Sequence, residues 1–265
     1  MIIHPPLHVK QYGQGHRAWL GIHGWAGNHR TFRPLASHVP NDCVLYSADL
    51  PGYGLTPPLD RWALDPVVAM ISETLRRLPH RSLTLVGYCG GGNLAMLAAQ
   101  QAPERVERLV LIDPFAYMPL YFRVFTWGSF GRRAYMSAFA NPLGRRIANA
   151  VLRRKRRGHT DLTETFGRVN HALTIEVMRS LLDFPPLASF QTLSMPIDMA
   201  YGERTFAAVK RSVQIWKTVW PHARAQVLLG AAHNPIAETP AQTAAILFDE
   251  AAPRAGIPAP LEASP

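Results

Sequence analysis

Cysteine is almost absent. The 265 residues hold two, Cys43 and Cys89. That number and spacing exclude a disulfide framework and a cysteine-based metal cluster. Such usage fits a reducing compartment, and a cytoplasmic location is the expectation. Lysine is nearly as scarce, with arginine supplying 24 of the 28 basic residues. Charged residues make up only 17% of the chain, and its 18 acids leave a net charge of +10. An excess of that sign favours acidic partners. No apolar run approaches the ~18–20 residues of a membrane span. The opening MIIHPPLHVK lacks the basic, apolar and small-residue regions of a secretory signal, so none is expected. What is present is a hydrophobic content of 48%, ample for a buried core and too high for a fibrous or disordered chain.

No internal repeat is found. Strand-like segments at residues 18–22 (AWLGI), 43–48 (CVLYSA), 82–86 (SLTLV) and 108–112 (RLVLI) alternate with helix-like ones at 29–39, 64–78 and 91–101. Short apolar strands alternating with helices predict a mostly parallel sheet covered on both faces. The alternation stops after Asp113 and resumes with strands at 196–201 and 225–229 and helices at 206–220 and 240–251. Residues 1–114 and 191–251 are thus the expected α/β core, with 115–190 as an insertion. The Pro/Ala-rich tail, 252–265, reads as disordered.

The strongest chemical signal is Gly87-Tyr88-Cys89-Gly90-Gly91, between a predicted strand and a predicted helix. This is the setting of the nucleophile elbow G-x-S-x-G, with cysteine in the serine position. The nucleophile occupies a strained turn, and Gly87 and Gly91 are expected to remove side chains that would crowd each other. Taken alone, Cys89 reads equally well as a small buried residue. Two further motifs favour the elbow. His23-Gly24-Trp25 follows the first predicted parallel strand. His233-Asn234-Pro235 follows the last and continues to Glu238 and Pro240.

With these motifs the core resembles the α/β-hydrolase fold superfamily. The resemblance implies an α/β-hydrolase fold in which the insertion forms a helical lid. It implies that His233 is the catalytic base and that Gly90 and Trp25 supply the backbone N–H groups of an oxyanion hole. Asp49-Leu50-Pro51-Gly52-Tyr53-Gly54 matches the D-x-P-G-x-G loop, read here as shaping the rim of the site. The position where many members carry the triad acid reads Gly202-Glu203-Arg204-Thr205, with threonine in place of aspartate. Some members place the acid after the preceding strand, where Asp113 sits. Asp113 is therefore assigned, with Glu203 in reserve. A cysteine–histidine pair working as an ion pair without an acid is the third arrangement.

Cysteine in the elbow favours thioester exchange, acyl transfer or cyclisation over plain ester hydrolysis, because an acyl-cysteine persists long enough for a second acceptor to attack. The elbow is similar to those of dienelactone hydrolases and of some assembly-line thioesterases. Gly87-Tyr88-Cys89-Gly90-Gly91-Gly92 also matches the G-Y-C-x-G-G box of polyhydroxyalkanoate synthases, but those are larger chains and that identity is not adopted. The leading reading is a thioesterase or acyltransferase/cyclase with a Cys89–His233–Asp113 triad. An ester or lactone hydrolase and a non-catalytic binder are the alternatives. No metal and no organic cofactor is implied.

Residues 120–190 hold twelve Lys/Arg against four Asp/Glu, most of the excess charge. Their densest run is Arg153-Arg154-Lys155-Arg156-Arg157. It reads either as a solvated helix face or as a dock for an acidic acyl carrier protein or a CoA phosphate. A peripheral membrane contact through arginines and aromatics is a further reading, and nucleic acid is not expected. Tyr117, Tyr121, Phe122, Phe125, Trp127, Phe130, Tyr135 and Phe139 are expected to form the insertion's own small core or to line an acyl pocket.

Overall fold

The computed structural model describes residues 5–156 and 160–248, with side chains to residue 154 in the first stretch. Seven strands form one sheet: β1 (Val9–Gly13), β2 (Arg17–Ile22), β3 (Cys43–Ala48), β4 (Leu83–Tyr88), β5 (Val106–Ile112), β6 (Ile197–Gly202) and β7 (Arg224–Leu228). Their order is β1-β3-β2-β4-β5-β6-β7. β1 runs antiparallel to β3, and the other neighbours are parallel.

The central strands are apolar throughout because both faces are covered. Along β5, Leu109 and Leu111 enter one core, while Val110 and Ile112 enter the other. Helices α1 (Leu64–Arg77), α2 (Gly90–Gln101) and, past the insertion, α7 (Ala207–Val219) supply the first face. A 3₁₀ helix at His29–His38 and the final helix α9 (Pro240–Phe248) cover the second. In α1 the fully buried Val67, Ile71 and Leu75 recur every fourth residue, the spacing of one helical stripe. The expected helix at 29–39 is 3₁₀ in form and carries Pro34, which has no N–H to donate.

Between β5 and β6 lie α3 (Leu120–Arg123), α4 (Gly128–Tyr135), α5 (Pro142–Arg156) and α6 (His171–Ser180), joined by 3₁₀ turns and one π turn. Tyr135, Phe139, Phe166 and Ile175 form a small core there with Ala26. Into it projects the Trp25 indole. Its ring centroid lies 4.8 Å from Phe166, 5.3 Å from Phe139 and 5.5 Å from Phe122, and its Nε1 donates to the Thr174 carbonyl at 3.4 Å. The aromatics of the insertion thus divide. Tyr135 and Phe139 build the core, Tyr117 and Phe122 reach a cavity, and Trp127 and Phe130 are exposed. A short helix α8 (Pro235–Glu238) precedes α9. Among the described residues no helix is long and apolar enough to cross a membrane. Arg157 and the tail 252–265 lie outside the described residues.

Candidate active site

Cys89 occupies the single-residue turn between β4 and α2, with φ 53° and ψ −125°. A side chain in that region of backbone space costs on the order of 1–3 kcal/mol and persists only where its surroundings fix it. Its amide donates to the Ile112 carbonyl at 2.9 Å, and its carbonyl accepts from Gly92 at 3.0 Å. The glycines around the turn serve closer approaches than their mutual spacing suggested. A Cβ on Gly87 would sit 2.4 Å from the Gly92 Cα. One on Gly91 would sit 2.3 Å from the His23 carbonyl oxygen, at the end of β2. Gly91 is therefore small because α2 starts against the His23 turn rather than because of Gly87. Gly24, which the sequence reading did not single out on its own, is as tight. A Cβ there would meet the Cβ of Cys89 at 2.8 Å.

His233, between β7 and α8, is brought to the same place. Its Nδ1 lies 2.7 Å from Oδ2 of Asp113, and Asp113 is fully buried. Asp113 sits just past β5 at φ 46°. Thr205 Oγ1 donates to the same Oδ2 at 2.5 Å, and the Gly202 amide donates to Oδ1 at 2.9 Å. Thr205 Oγ1 is also 3.4 Å from His233 Nδ1. The threonine in the usual acid position thus serves the carboxylate that replaces it. Glu203 is not brought in, because its carboxylate accepts from the Gly230 amide at 2.9 Å on the exposed side of the turn.

Burial works against a charge on His233, but the adjoining Cys89 sulfur and the Asp113 carboxylate outweigh it and push its pKa up to about 10. The rings of Phe206, Phe115 and Tyr88 surround the imidazole at 4.8, 5.7 and 5.8 Å. Tyr88 also donates its hydroxyl to the His233 carbonyl at 2.7 Å, a tie that nothing in the sequence announced. Glu238 holds the other side of the loop by accepting from the Ala232 amide at 2.5 Å and from the Thr160 hydroxyl.

Cys89, His233, Gly90 and Trp25 open on a cavity of about 1110 Å³. Its wall includes Phe122, Phe139, Leu152, Phe166, Leu181 and Phe184, a mainly apolar surface from the insertion. Gly90 begins α2, so its N–H has no partner within the helix. Among the described residues the Trp25 amide makes no backbone hydrogen bond. His23 does not reach the cavity. Its Nδ1 donates to the Gly24 carbonyl at 2.8 Å, and its Nε2 accepts from the Leu50 amide at 3.1 Å. Burial lowers its pKa to about 4, so the ring is neutral and splices the His23 turn to the loop after β3. In that loop Gly52, Tyr53 and Gly54 line the cavity, as the rim reading expected. On the basic run, Arg153 and Arg154 are exposed near the end of α5, while the side chains of Lys155 and Arg156 and all of Arg157 lie outside the described residues.

The family model for the alpha/beta hydrolase fold matches residues 20–240, and the chain belongs to that family. A pimeloyl-[acyl-carrier protein] methyl ester esterase of Salmonella agona is 24% identical over 87% of this chain and 92% of its own length. Lipase LipV of Mycobacterium tuberculosis is 35% identical, over 41% of each chain. A serine hydrolase-like protein of Danio rerio is 34% identical over 43% of this chain and 36% of its own length. This chain therefore spans well under half of the last two relatives. Among solved structures, MenH from S. aureus superposes with a TM-score of 0.76 at 16% identity, covering 90% of this chain and 96% of that one. The thioesterase domain from the curacin biosynthetic pathway gives 0.61 at 18% identity, covering 90% and 94%. At such identities these two likenesses show the fold alone.

Proposed function

We propose that the chain is an acyl-transferring hydrolase that works through an acyl-cysteine, with a thioester as the favoured substrate. The observation that carries the reading is the convergence of Cys89, in a strained, half-buried turn, on a buried His233–Asp113 pair beneath an apolar cavity.

The chemistry follows from the geometry. Cys89 and His233 share one proton, and Asp113 stabilises the imidazolium formed when that proton sits on the ring and leaves the sulfur as the nucleophile. The sulfur attacks the acyl carbonyl, and its C–S bond forms as the carbonyl oxygen becomes an oxyanion held by the Gly90 and Trp25 amides. Losing one such donor typically costs about 10²–10³ in rate. The oxyanion collapses, the bond to the leaving thiolate or alkoxide breaks, and His233 returns the proton to it. Water or an acceptor alcohol or amine then attacks the acyl carbon as His233 takes its proton, the C–S bond to Cys89 breaks, and the departing sulfur and His233 again share one proton. A cavity of about 1110 Å³ walled by Phe and Leu side chains suits a medium or long acyl chain.

Ester hydrolysis is the second reading, favoured by the methyl ester esterase among the relatives that match most of the chain. The carrier named for that relative also supports an acidic acyl carrier or CoA as the donor here, docked through Arg153 and Arg154 beside the cavity-lining Leu152. A bilayer surface competes for the same region, because Trp127, Phe130, Leu143 and Ile147 are exposed there.

Intact-protein mass spectrometry after brief exposure to a panel of acyl thioesters tests the proposal. Wild type should gain one acyl mass that Cys89→Ala does not, and His233→Ala should form neither adduct nor product at a comparable rate. Turnover undiminished in Cys89→Ala overturns the reading. Cys89→Ser separates the two substrates, since thioester exchange should fall steeply and simple ester hydrolysis should survive.

A further inference from the structure

Three side chains that the acyl chemistry leaves unused converge beside β1 and β3. His8 immediately precedes β1, His29 opens the 3₁₀ helix, and Asp49 directly follows β3. Nδ1 of His8 and Nδ1 of His29 lie 2.9 and 2.8 Å from one oxygen, Oδ2 of Asp49. The three donor atoms fall within 4.8 Å of one another. Asp49 is fully buried, while the His8 and His29 side chains keep 33% and 17% of their exposure, which leaves a path from solvent.

The positions of all three are fixed by bonds that do not involve the imidazoles. The Asp49 amide donates to the His8 carbonyl at 2.9 Å. The His8 amide donates to Thr56 Oγ1 at 2.9 Å, and that hydroxyl donates on to the Asp49 carbonyl at 2.7 Å. Ser47 holds the His29 carbonyl at 2.8 Å. The amides of His29 and Leu55 fix the Asp49 carboxylate at 2.6 and 2.9 Å. Such outer bonds orient ligands before a metal arrives.

We propose that His8, His29 and Asp49 form a site for a divalent transition-metal ion of the zinc class. Two imidazole nitrogens and one carboxylate oxygen are the donor set that such ions prefer, with water completing a tetrahedron. Binding requires each ring to present Nδ1 to the ion and keep its one proton on Nε2. Metal bonds of about 2.0–2.1 Å place tetrahedral ligands roughly 3.4 Å apart, so the two contacts with Asp49 open by only about half an ångström. The ion would join three segments. Two of them run on into the cavity wall, through Asn28 and Arg30 and through Gly52 and Tyr53. Its role is to stiffen that rim, apart from the bond-making at Cys89.

Titration calorimetry with zinc chloride on the Cys89→Ala protein, where the competing thiol is gone, tests the site without any reference to activity. One equivalent should bind. His8→Gln and His29→Gln, each first checked for native circular dichroism, should each weaken binding at least about tenfold. At a hundredfold excess over Kd, zinc should raise the Tm of the parent by roughly 5–10 °C, and that of His8→Gln by clearly less. Absence of binding, or equal affinity in the parent and both variants, overturns the proposal.

Discussion

Asp113 carries its carboxylate into a fully buried position and meets three donors there: the His233 ring, the Thr205 hydroxyl and the Gly202 amide. A neutral amide in its place would turn an NH₂ group toward one or more of them. Asp113→Asn should therefore lower kcat on an acyl thioester by about 10³ or more, through loss of the charge and of the ring orientation. Thr205→Val keeps the shape and removes one donor, and should cost about tenfold. A fall of less than tenfold in Asp113→Asn, measured at saturating substrate, would mean that the cysteine–histidine pair works without its acid. Much of this site could be read from single residues. Cys89 and His233 stand in motifs with a fixed place on the chain, and Asp113 ends an apolar run. The ties made by Tyr88 and Thr205 could not be read in advance. They join positions 145 and 92 residues apart, and no local pattern encodes such a distance.

Among the elements, legibility followed burial. β3 has the bounds its apolar run predicted, 43–48, because every residue in it is buried. β1 was missed. It is an edge strand whose Lys10, Gln11 and Gly13 are exposed, so it offers no apolar alternation to read. Apart from the 15-residue α5, the helices of the insertion have ten residues or fewer, and they pack on aromatics drawn from distant turns, which blurs their period. α5 carries the prediction at this scale. Its exposed Arg153 and Arg154 should make turnover of carrier- or CoA-linked thioesters fall several-fold between 50 and 500 mM salt. Arg153→Glu with Arg154→Glu should lower kcat/KM and flatten that salt response, while kcat on a small uncharged thioester stays unchanged. A salt response as steep in the double variant would remove α5 as the docking element.

For the whole molecule, stability in acid rests partly on His23. Its pKa is about 4 in the folded protein and 6.5 in an ordinary setting, so the unfolded chain binds the proton first as pH falls. The contribution of the neutral ring is intact above about pH 6.5 and is lost as pH drops toward 4. It amounts to about 3 kcal/mol over that window. Urea midpoints at pH 7 and pH 4.5 should therefore differ more for wild type than for His23→Asn. An equal fall in both would place the acid sensitivity elsewhere.

Trp25 joins the two halves of the molecule within one residue. It lines the cavity with Cys89, and its indole is sunk among Phe122, Phe139 and Phe166 of the insertion. The next residue, Ala26, sits at φ 57°, a conformation with little slack to pass on. An insertion that swings away must draw the indole with it or leave that ring stranded in water. Under the proposed mechanism, one residue would then tie the oxyanion donor to the packing of the insertion, so loosening that packing would slow the chemistry even in a molecule whose Cys89, His233 and Asp113 stay in place.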